Sequence, residues 1–232
     1  MSTVDVVVPV YNEGENIERA LRELSRVLPS PSRILVVYDF DEDDTIPVVM
    51  RLRRELAQVE LVRNRRGRGV PHAIRSGLDA ATGDVVIVSM ADLSDDVGVI
   101  PDMVRLIRSE GYDVVCASRY MPGGKQIGGP WLKRTFSRLA GVSLHAFGYP
   151  VHDVTNSFRA YRRSILVQIG IESLAGFACS LEVLAKAVAA GHRVAEVPST
   201  WRDRSAGRSQ FRLWKWLPEY VRWYWYALTH RP

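Results

Sequence analysis

Two cysteines in 232 residues, Cys116 and Cys179, are too few for a disulfide framework, and both lie in apolar contexts. They also lack the spacing of a metal-binding set, so the chain reads as a protein of a reducing compartment, the cytosol. No uncharged apolar run approaches the roughly 18 residues of a membrane-spanning helix. The N-terminus enters VDVVVPV directly, a stretch too short and too β-branched for a secretory signal. Internal repeats and low-complexity linkers are missing as well. What is present is enough for one large α/β domain, with or without a short appendage: 47% of residues are hydrophobic and 25% charged, and a chain of this length buries a substantial core.

The excess of 31 Lys+Arg over 26 Asp+Glu is small, but its placement is uneven. Eight arginines fall between Arg51 and Arg75, and six basic residues lie from Arg202 to Arg222 against Asp203 and Glu219. Such clusters suit phosphate-bearing partners, although a solvated basic surface accounts for many of them.

Short β-branched runs alternate with longer amphipathic stretches. VDVVVPV, RILVVYD, VELV, DVVIVSM and DVVCAS read as buried strands. Helices are predicted over 15–28, 46–58, 71–81 and 99–109, where apolar residues recur every third or fourth position. This alternation predicts an α/β fold with a mostly parallel central sheet flanked by helices. Right-handed crossovers then gather the strand C-termini along one edge, where open α/β sheets bind ligands. Beyond Ser118, residues 119–130 read as a glycine-rich loop and 131–147 as a helix. A loop at 149–156 leads to SFRAYRR, and a helix over 177–190 is closed by Gly191. VAEVPST is a sixth strand, and Pro218 is placed at the start of a C-terminal helix.

Four strand ends carry polar turns. Pro9-Val10-Tyr11-Asn12-Glu13 follows the first strand and either recognises a ligand or opens a helix. Asp39, Asp41, Glu42, Asp43 and Asp44 follow the second. Asp43 or Asp44 would cap the next helix, but five acids exceed what one cap requires, so at least one faces ligand. Arg63-Asn64-Arg65-Arg66-Gly67-Arg68-Gly69 precedes a helix, and glycines there let a backbone approach a phosphate. The run lacks the endings of a P-loop or a dinucleotide fingerprint, and a solvated turn is its plainer reading. Ser89-Met90-Ala91-Asp92-Leu93-Ser94-Asp95-Asp96 follows the fourth strand. Magnesium takes one or two carboxylates plus phosphate oxygens, so these acids could hold a cation on a diphosphate.

Taken in order, PVYNE, the acidic turn ending Asp43-Asp44-Thr45, RNRRGRG and ADLS resemble the motifs of family-two inverting glycosyltransferases of GT-A fold, a Rossmann-like nucleotide-sugar domain. Three later segments are similar to signatures of dolichyl- and polyprenyl-phosphate sugar (mannose-type) synthases: Ser118-Arg119-Tyr120 with Gly123-Gly124, Asp153-Val154-Thr155-Asn156-Ser157-Phe158-Arg159, and Arg204-Ser205-Ala206-Gly207-Arg208-Ser209. Each motif is weak alone; seven in order are specific. The resemblance runs from Val4 to Ser209 and implies a domain over 1–210 with an amphipathic segment over 211–232.

The resemblance implies roles residue by residue. Pro9, Tyr11, Glu13 and Asp39 would line the pocket for a GDP- or UDP-linked sugar, with Arg66 and Ala91 beside the donor and Asp39 on base or ribose. Asp92 would hold Mg²⁺ or Mn²⁺ on the diphosphate. Arg119, Lys133, Ser137 and Arg204 would hold the acceptor phosphate or the donor phosphates, Lys133 and Ser137 sharing one helix face. A polyprenyl phosphate is already anionic, so cations that position it matter more than a base. A sugar-hydroxyl acceptor would need a base, for which Asp153, Asp95 and Asp96 are candidates. The sequence departs from the family at Met90, where an aspartate stands in the D-A-D triplet, at Phe40-Asp41 in the V-D-D-G-S element, and at Ser157 in place of a glycine. Asp95 and Asp96 could compensate for Met90 or simply cap a helix.

Residues 211–228 interleave Trp214, Trp216, Trp223 and Trp225 with Tyr220, Tyr224, Tyr226, Arg212, Lys215 and Arg222. Aromatic and basic residues together suit a membrane headgroup layer, here the inner face of the membrane with the protein peripheral to it. The same aromatics could pack on the domain or form a homo-oligomer interface. No nucleic-acid-binding module is recognised, so nucleic acid is set aside as a partner.

Overall fold

The computed structural model describes residues 3–203 and 213–230. Nine strands and eight helices are found among them: β1 (Val4–Pro9), α1 (Ile17–Val27), β2 (Ser32–Tyr38), α2 (Thr45–Leu52), β3 (Val59–Arg63), α3 (Val70–Ala80), β4 (Val85–Val88), α4 (Ile100–Ser109), β5 (Val114–Ser118), β6 (Lys125–Ile127), α5 (Trp131–Ala146), β7 (Arg159–Arg162), α6 (Arg163–Gln168), α7 (Ala178–Ala189), β8 (Val194–Pro198), β9 (Thr200–Arg202) and α8 (Leu213–Thr229). The main sheet has seven strands in the order β3-β2-β1-β4-β7-β5-β8. All run parallel except β7, which pairs antiparallel with both β4 and β5. The predicted α/β fold with a mostly parallel sheet is present, and β6 and β9 form a second, two-stranded parallel sheet.

The sheet is covered on both faces, so its strands read as near-continuous apolar runs. Along β1 the side chains alternate: Val4, Val6 and Val8 join Ile17, Leu21, Leu24, Ile100 and Met103 in one core. Val7 turns the other way, with Leu35, Val37 and Ala73 under α3. Gly77 lets α3 approach that face, because a Cβ there would collide with Val7 and stand 3.0 Å from Val37. A third cluster around Val114, Leu144, Leu181, Leu184 and Trp223 joins α7, α8 and part of α5 to the sheet.

β7 sets the geometry of the site. Its antiparallel register pairs Arg159 with Val88 and with Cys116, so the chain enters the sheet at the C-terminal edge of β4 and β5. Residues 153–158 are thereby delivered between the turn after β4 and the turn after β5. SFRAYRR, which alternation leaves unassigned, is this inserted strand followed by α6.

Four further boundaries differ from the sequence reading. The stretch 119–130 is not all loop, since β6 lies within it. VAEVPST and the residues after it form two strands that diverge at Ser199 to serve different sheets. Helix α2 ends at Leu52, before the predicted Gln58, because Leu56 folds back onto the core ahead of β3. Pro218 lies inside α8, which begins at Leu213, so it removes one interior hydrogen bond of that helix. Gly191 does terminate α7 in the left-handed region, at φ +76°.

Candidate active site

At the C-terminal edge of β1 and β2 the acids hold loops in place. The carboxylate of Asp43 is buried and accepts the Asn12 backbone N–H (3.1 and 3.2 Å to its two oxygens) and that of Thr45 (2.9 Å). Asp44 accepts from the Gly14 N–H (2.9 Å), and the Thr45 hydroxyl accepts from the Glu13 N–H (2.9 Å). Asn12 adopts φ +52°, a left-handed conformation that asparagine tolerates. Asp44 is the first residue of the α2 cap, but its side chain serves Gly14 and not that helix. The acidic turn therefore fastens the PVYNE turn.

Asp39 does the same for the arginine-rich loop. It accepts from Asn64 Nδ2 (2.6 Å) and from the Gly69 N–H (2.7 Å) at the entrance of α3. A carboxylate of the protein thus lies at the helix N-terminus, where an anion is favoured. Asn64 ties the loop further, donating to the Gly67 carbonyl (2.5 Å) and accepting from the Arg66 N–H (2.9 Å). Arg66 itself pairs with Asp79 at 2.5 Å on the surface. Tyr11 is half exposed and edge-on to Phe40 (5.4 Å between centroids), and the Arg68 guanidinium lies 5.4 Å from the same ring. This forms an aromatic and cationic platform above the strand ends.

After β4, Ser94 donates its N–H to Asp92 Oδ1 (3.0 Å), and Leu93 holds φ +51°. That conformation costs energy in a residue with a Cβ and is often retained at functional turns. Met90 packs against the apolar cluster of α7 and α8, and Ala91 is buried in the opposite one. Asp96 caps the short 3-10 turn Val97–Val99 by accepting from the Gly98 N–H (2.9 Å). Asp95 is buried and accepts from Asn156 Nδ2 (2.9 Å). Burial pushes its carboxyl up to about 6, against the opposing effects of the Asn156 hydrogen bond and the nearby Arg119 charge.

The opposite side of the edge is organised by an ion pair. Arg119 Nε and Nη2 donate to the two oxygens of Asp153 (2.7 and 2.9 Å), and the Arg119 N–H reaches the same carboxylate at 3.1 Å. Arg119 Nη2 also reaches Ser137 Oγ (3.0 Å) and Thr155 Oγ1 (2.9 Å). Burial works against the charge of Asp153, yet the Arg119 guanidinium holds it below the ordinary carboxylate range. A carboxylate so engaged is a poor proton acceptor. Arg159, wholly buried, donates to the Val154 carbonyl (2.7 Å) and the Ser180 carbonyl, bracing the 153–158 loop from below. Tyr120 lies with its ring 4.9 Å from the Arg119 guanidinium and its hydroxyl 2.8 Å from Ser137 Oγ. Beside this group is a cavity of about 400 Å³ lined by Arg119, Tyr120, Lys125, Gln126, Arg134 and Arg138.

Comparison with known proteins gives the family and the fold. The model of the family described as glycosyl transferase family 2 matches residues 5–170. The chain belongs to that family. A dolichol-phosphate mannosyltransferase of Pyrococcus furiosus is 29% identical over 223 residues, covering 94% of this chain and 62% of the relative. The chain therefore spans less than two thirds of that protein's length. A polyprenol monophosphomannose synthase of Mycolicibacterium smegmatis is 30% identical over 213 residues, covering 88% of this chain and 79% of the relative. Among solved structures, glucosyl-3-phosphoglycerate synthase of Mycobacterium tuberculosis, in complex with Mn²⁺, UDP and glucosyl-3-phosphoglycerate, superposes with a TM-score of 0.70 at 19% identity, covering 100% of this chain and 81% of that one. A mannosyltransferase of Pyrobaculum calidifontis with GDP-mannose and Mn²⁺ gives 0.65 at 21% identity, covering 89% and 58%. At these identities the structural likeness shows the GT-A fold.

Seen as a member of family 2, the chain brings most of the sequence-derived candidates to one edge. Pro9, Tyr11, Glu13, Asp39, Ala91 and Asp92 come from the ends of β1, β2 and β4. Arg119, Asp153 and Ser137 meet directly, and Lys133 is one turn from Ser137 on α5. Arg204 and its motif lie outside the described residues. Among the described residues no group of three or more His, Cys, Asp or Glu side chains is placed to hold a metal. Asp92, partly accessible in the turn after β4, fits a cation whose other ligands are donor phosphates. Met90, facing the apolar core, does not.

Sequence reasoning missed Lys125, Arg134 and Arg138 on the cavity wall, and Asn156 as the link between Asp95 and the 153–158 loop. The repeat of arginine at i and i+4 in α5 was a usable signal. The position of Lys125 was not legible, because it depends on Gly124. A Cβ there would collide with the Ser118 carbonyl, so glycine lets the chain fold back over the end of β5.

Proposed function

We propose that the protein transfers a hexose from a nucleotide sugar to a polyprenyl phosphate, with inversion and with a divalent cation on the donor. The observation that carries this reading is the contact of Arg119 with Ser137, one turn from Lys133 on α5, across the strand edge from the donor loops. It matches the demand of an acceptor that arrives as an anion. The relatives named for dolichol- and polyprenol-phosphate mannose transfer support the same acceptor class.

In this reading Tyr11, Phe40 and Arg68 face the nucleobase, with Asp39 and Asn64 keeping the loop beneath it rigid. Asp92 holds Mg²⁺ or Mn²⁺, which when bound offsets negative charge on the departing diphosphate. Lys133 and Ser137 orient the acceptor phosphate, and Arg119 lends positive potential from behind while fixed by Asp153. A phosphate oxygen forms the new bond to the anomeric carbon as the bond from that carbon to the diphosphate breaks, its electron pair leaving with the nucleoside diphosphate. Attack from the opposite face inverts the centre. The attacking oxygen is already deprotonated, so no base is required, which agrees with the engagement of Asp153 by Arg119. Asp153 is accordingly a positioning residue in this proposal.

Membrane association belongs to the same reading, with its surface on α5 more than on the tail. Trp223 and Ala227 of α8 are buried against α7, whereas Trp131, Leu139 and Val142 of α5 are exposed. Among the described residues no helix is long and apolar enough to cross a membrane. Incubating the protein with labelled nucleotide sugars, polyprenyl phosphate and Mg²⁺ or Mn²⁺, then extracting into organic solvent, tests the reaction. Label is expected in the lipid phase for at least one donor. A folded protein that binds a nucleotide sugar and labels no lipid with any donor would overturn the assignment.

A further inference from the structure

Helix α5 carries three stripes side by side. Lys133 and Ser137 form one, Arg134 and Arg138 the next, and Trp131, Leu139 and Val142 a third that is exposed and apolar. The middle stripe faces the cavity of about 400 Å³ together with Lys125 from β6. Arg119, at the cavity's inner end, is balanced by Asp153. Lys125, Arg134 and Arg138 make no salt bridge among the described residues, and no carboxylate lines the cavity. Three cations around one concave surface repel one another, and an anion relieves that repulsion.

We propose that this cavity is a second anion subsite, which holds the phosphate of an anionic membrane phospholipid beside the acceptor. Rotation around α5 gives the order needed for a helix lying on a bilayer: acceptor-phosphate residues inward, headgroup-binding arginines at the rim, apolar residues toward the acyl chains. Val221 and Trp225 of α8 extend the exposed apolar surface, since α8 packs beside α5 through a Ser143–Tyr224 hydroxyl contact of 2.8 Å. A bilayer supplies phosphate and hydrocarbon together, and the juxtaposed stripes match both. Tyr120, with its hydroxyl 2.8 Å from Ser137 and 2.9 Å from Gln126, forms the partition between the two phosphate positions. The subsite rests on the membrane-acceptor reading, and it makes bilayer charge a regulator of that activity.

The test uses the full chain and vesicles without donor or polyprenyl phosphate, so a failed transfer assay leaves its outcome unaffected. Partition onto vesicles of phosphatidylcholine alone is compared with partition onto phosphatidylcholine mixed with phosphatidylglycerol. Each basic residue near an anionic surface strengthens binding several-fold, so three predict roughly a hundredfold preference for the mixed vesicles. Replacing Arg134→Gln and Arg138→Gln together should weaken that binding by about thirtyfold. Both are exposed and make no salt bridge among the described residues, so the fold is expected to persist, as circular dichroism would verify. Arg53→Gln with Arg54→Gln, an exposed pair of equal charge on another face, should leave the partition unchanged. Equal binding to neutral and mixed vesicles would overturn the proposal. So would an equal loss in the Arg53/Arg54 control, which marks non-specific attraction. Complete displacement by millimolar inorganic phosphate at constant ionic strength would reassign the cavity to free phosphate and overturn it as well.

Discussion

The two sides of the active-site edge are held by different interactions. On the donor side, Asp39, Asp43 and Asp44 accept from the backbone N–H groups of Gly69, Asn12 and Gly14. Their charges meet neutral amides, and the loops are fixed before any ligand arrives. On the acceptor side, one buried ion pair, Arg119 with Asp153, supports a surface where Lys125, Arg134 and Arg138 make no salt bridge among the described residues. Charge-assisted bonds to backbone fix shape, whereas unbalanced like charges select an occupant. In the proposed function, the donor edge would thus be preorganised for a ligand that brings its own cation, and the acceptor edge would receive an anion.

Removing a member of the buried pair should break this contrast most severely. Asp153→Ala leaves the Arg119 guanidinium buried without its partner and is expected to cost about 3–5 kcal/mol of stability, measured by urea unfolding. A loss under about 1 kcal/mol would mean that the pair is not the support of the acceptor side. The next effect is a pH dependence. Asp95 in the fold has a pKa of about 6, above its ordinary value of 3.8. The folded state then holds a proton that the unfolded chain has released, so stability is fully present below about 4 and is lost as pH rises through about 6. The loss is on the order of 3 kcal/mol from this group. Comparing unfolding midpoints at both ends of that window should show the fall in the parent and its removal in Asp95→Asn; equal slopes in the two would contradict it.

On the donor side, Asp43→Ala removes the acceptor for Asn12 and Thr45 and should cost about 1–3 kcal/mol. Nucleotide-sugar binding by calorimetry should weaken with it, while acceptor KM stays close to that of the parent. If acceptor KM rose as much as donor Kd, the two sides would not be separate. Asp41→Asn should do least. Its ion pair with Arg63 at 3.0 Å is more than half exposed on both partners, and such pairs contribute about 0–1 kcal/mol. A larger loss would place Asp41 among the loop-fastening acids.

Continuous β-branched runs and an apolar recurrence every third or fourth residue revealed the six parallel strands of the main sheet and most helices, because buried strands are apolar on both faces and each helix buries one. β7 was hidden because SFRAYRR carries two arginines on what becomes an inner strand. Arg159 is accommodated there only by the carbonyls of Val154 and Ser180, a tertiary fact. The motif order located the site edge, yet it could not say which acids serve ligand and which serve the chain. Asp39 and Asp43 look alike in sequence, and both turn out to fasten loops. Likewise the tail reads as a membrane surface from its tryptophans, although Trp223 is core and α5 carries more of the exposed apolar face.

In the proposed function, α5 reads the acceptor's phosphate independently of the donor loops. Lys133→Ala isolates this, with steady-state kinetics for polyprenyl phosphate set beside calorimetric binding of the nucleotide sugar. A charged hydrogen bond contributes about 1.5–3 kcal/mol, so acceptor KM should rise by roughly ten- to a hundredfold while donor Kd is unchanged. Equal weakening of donor and acceptor, or no change in acceptor KM, would contradict it.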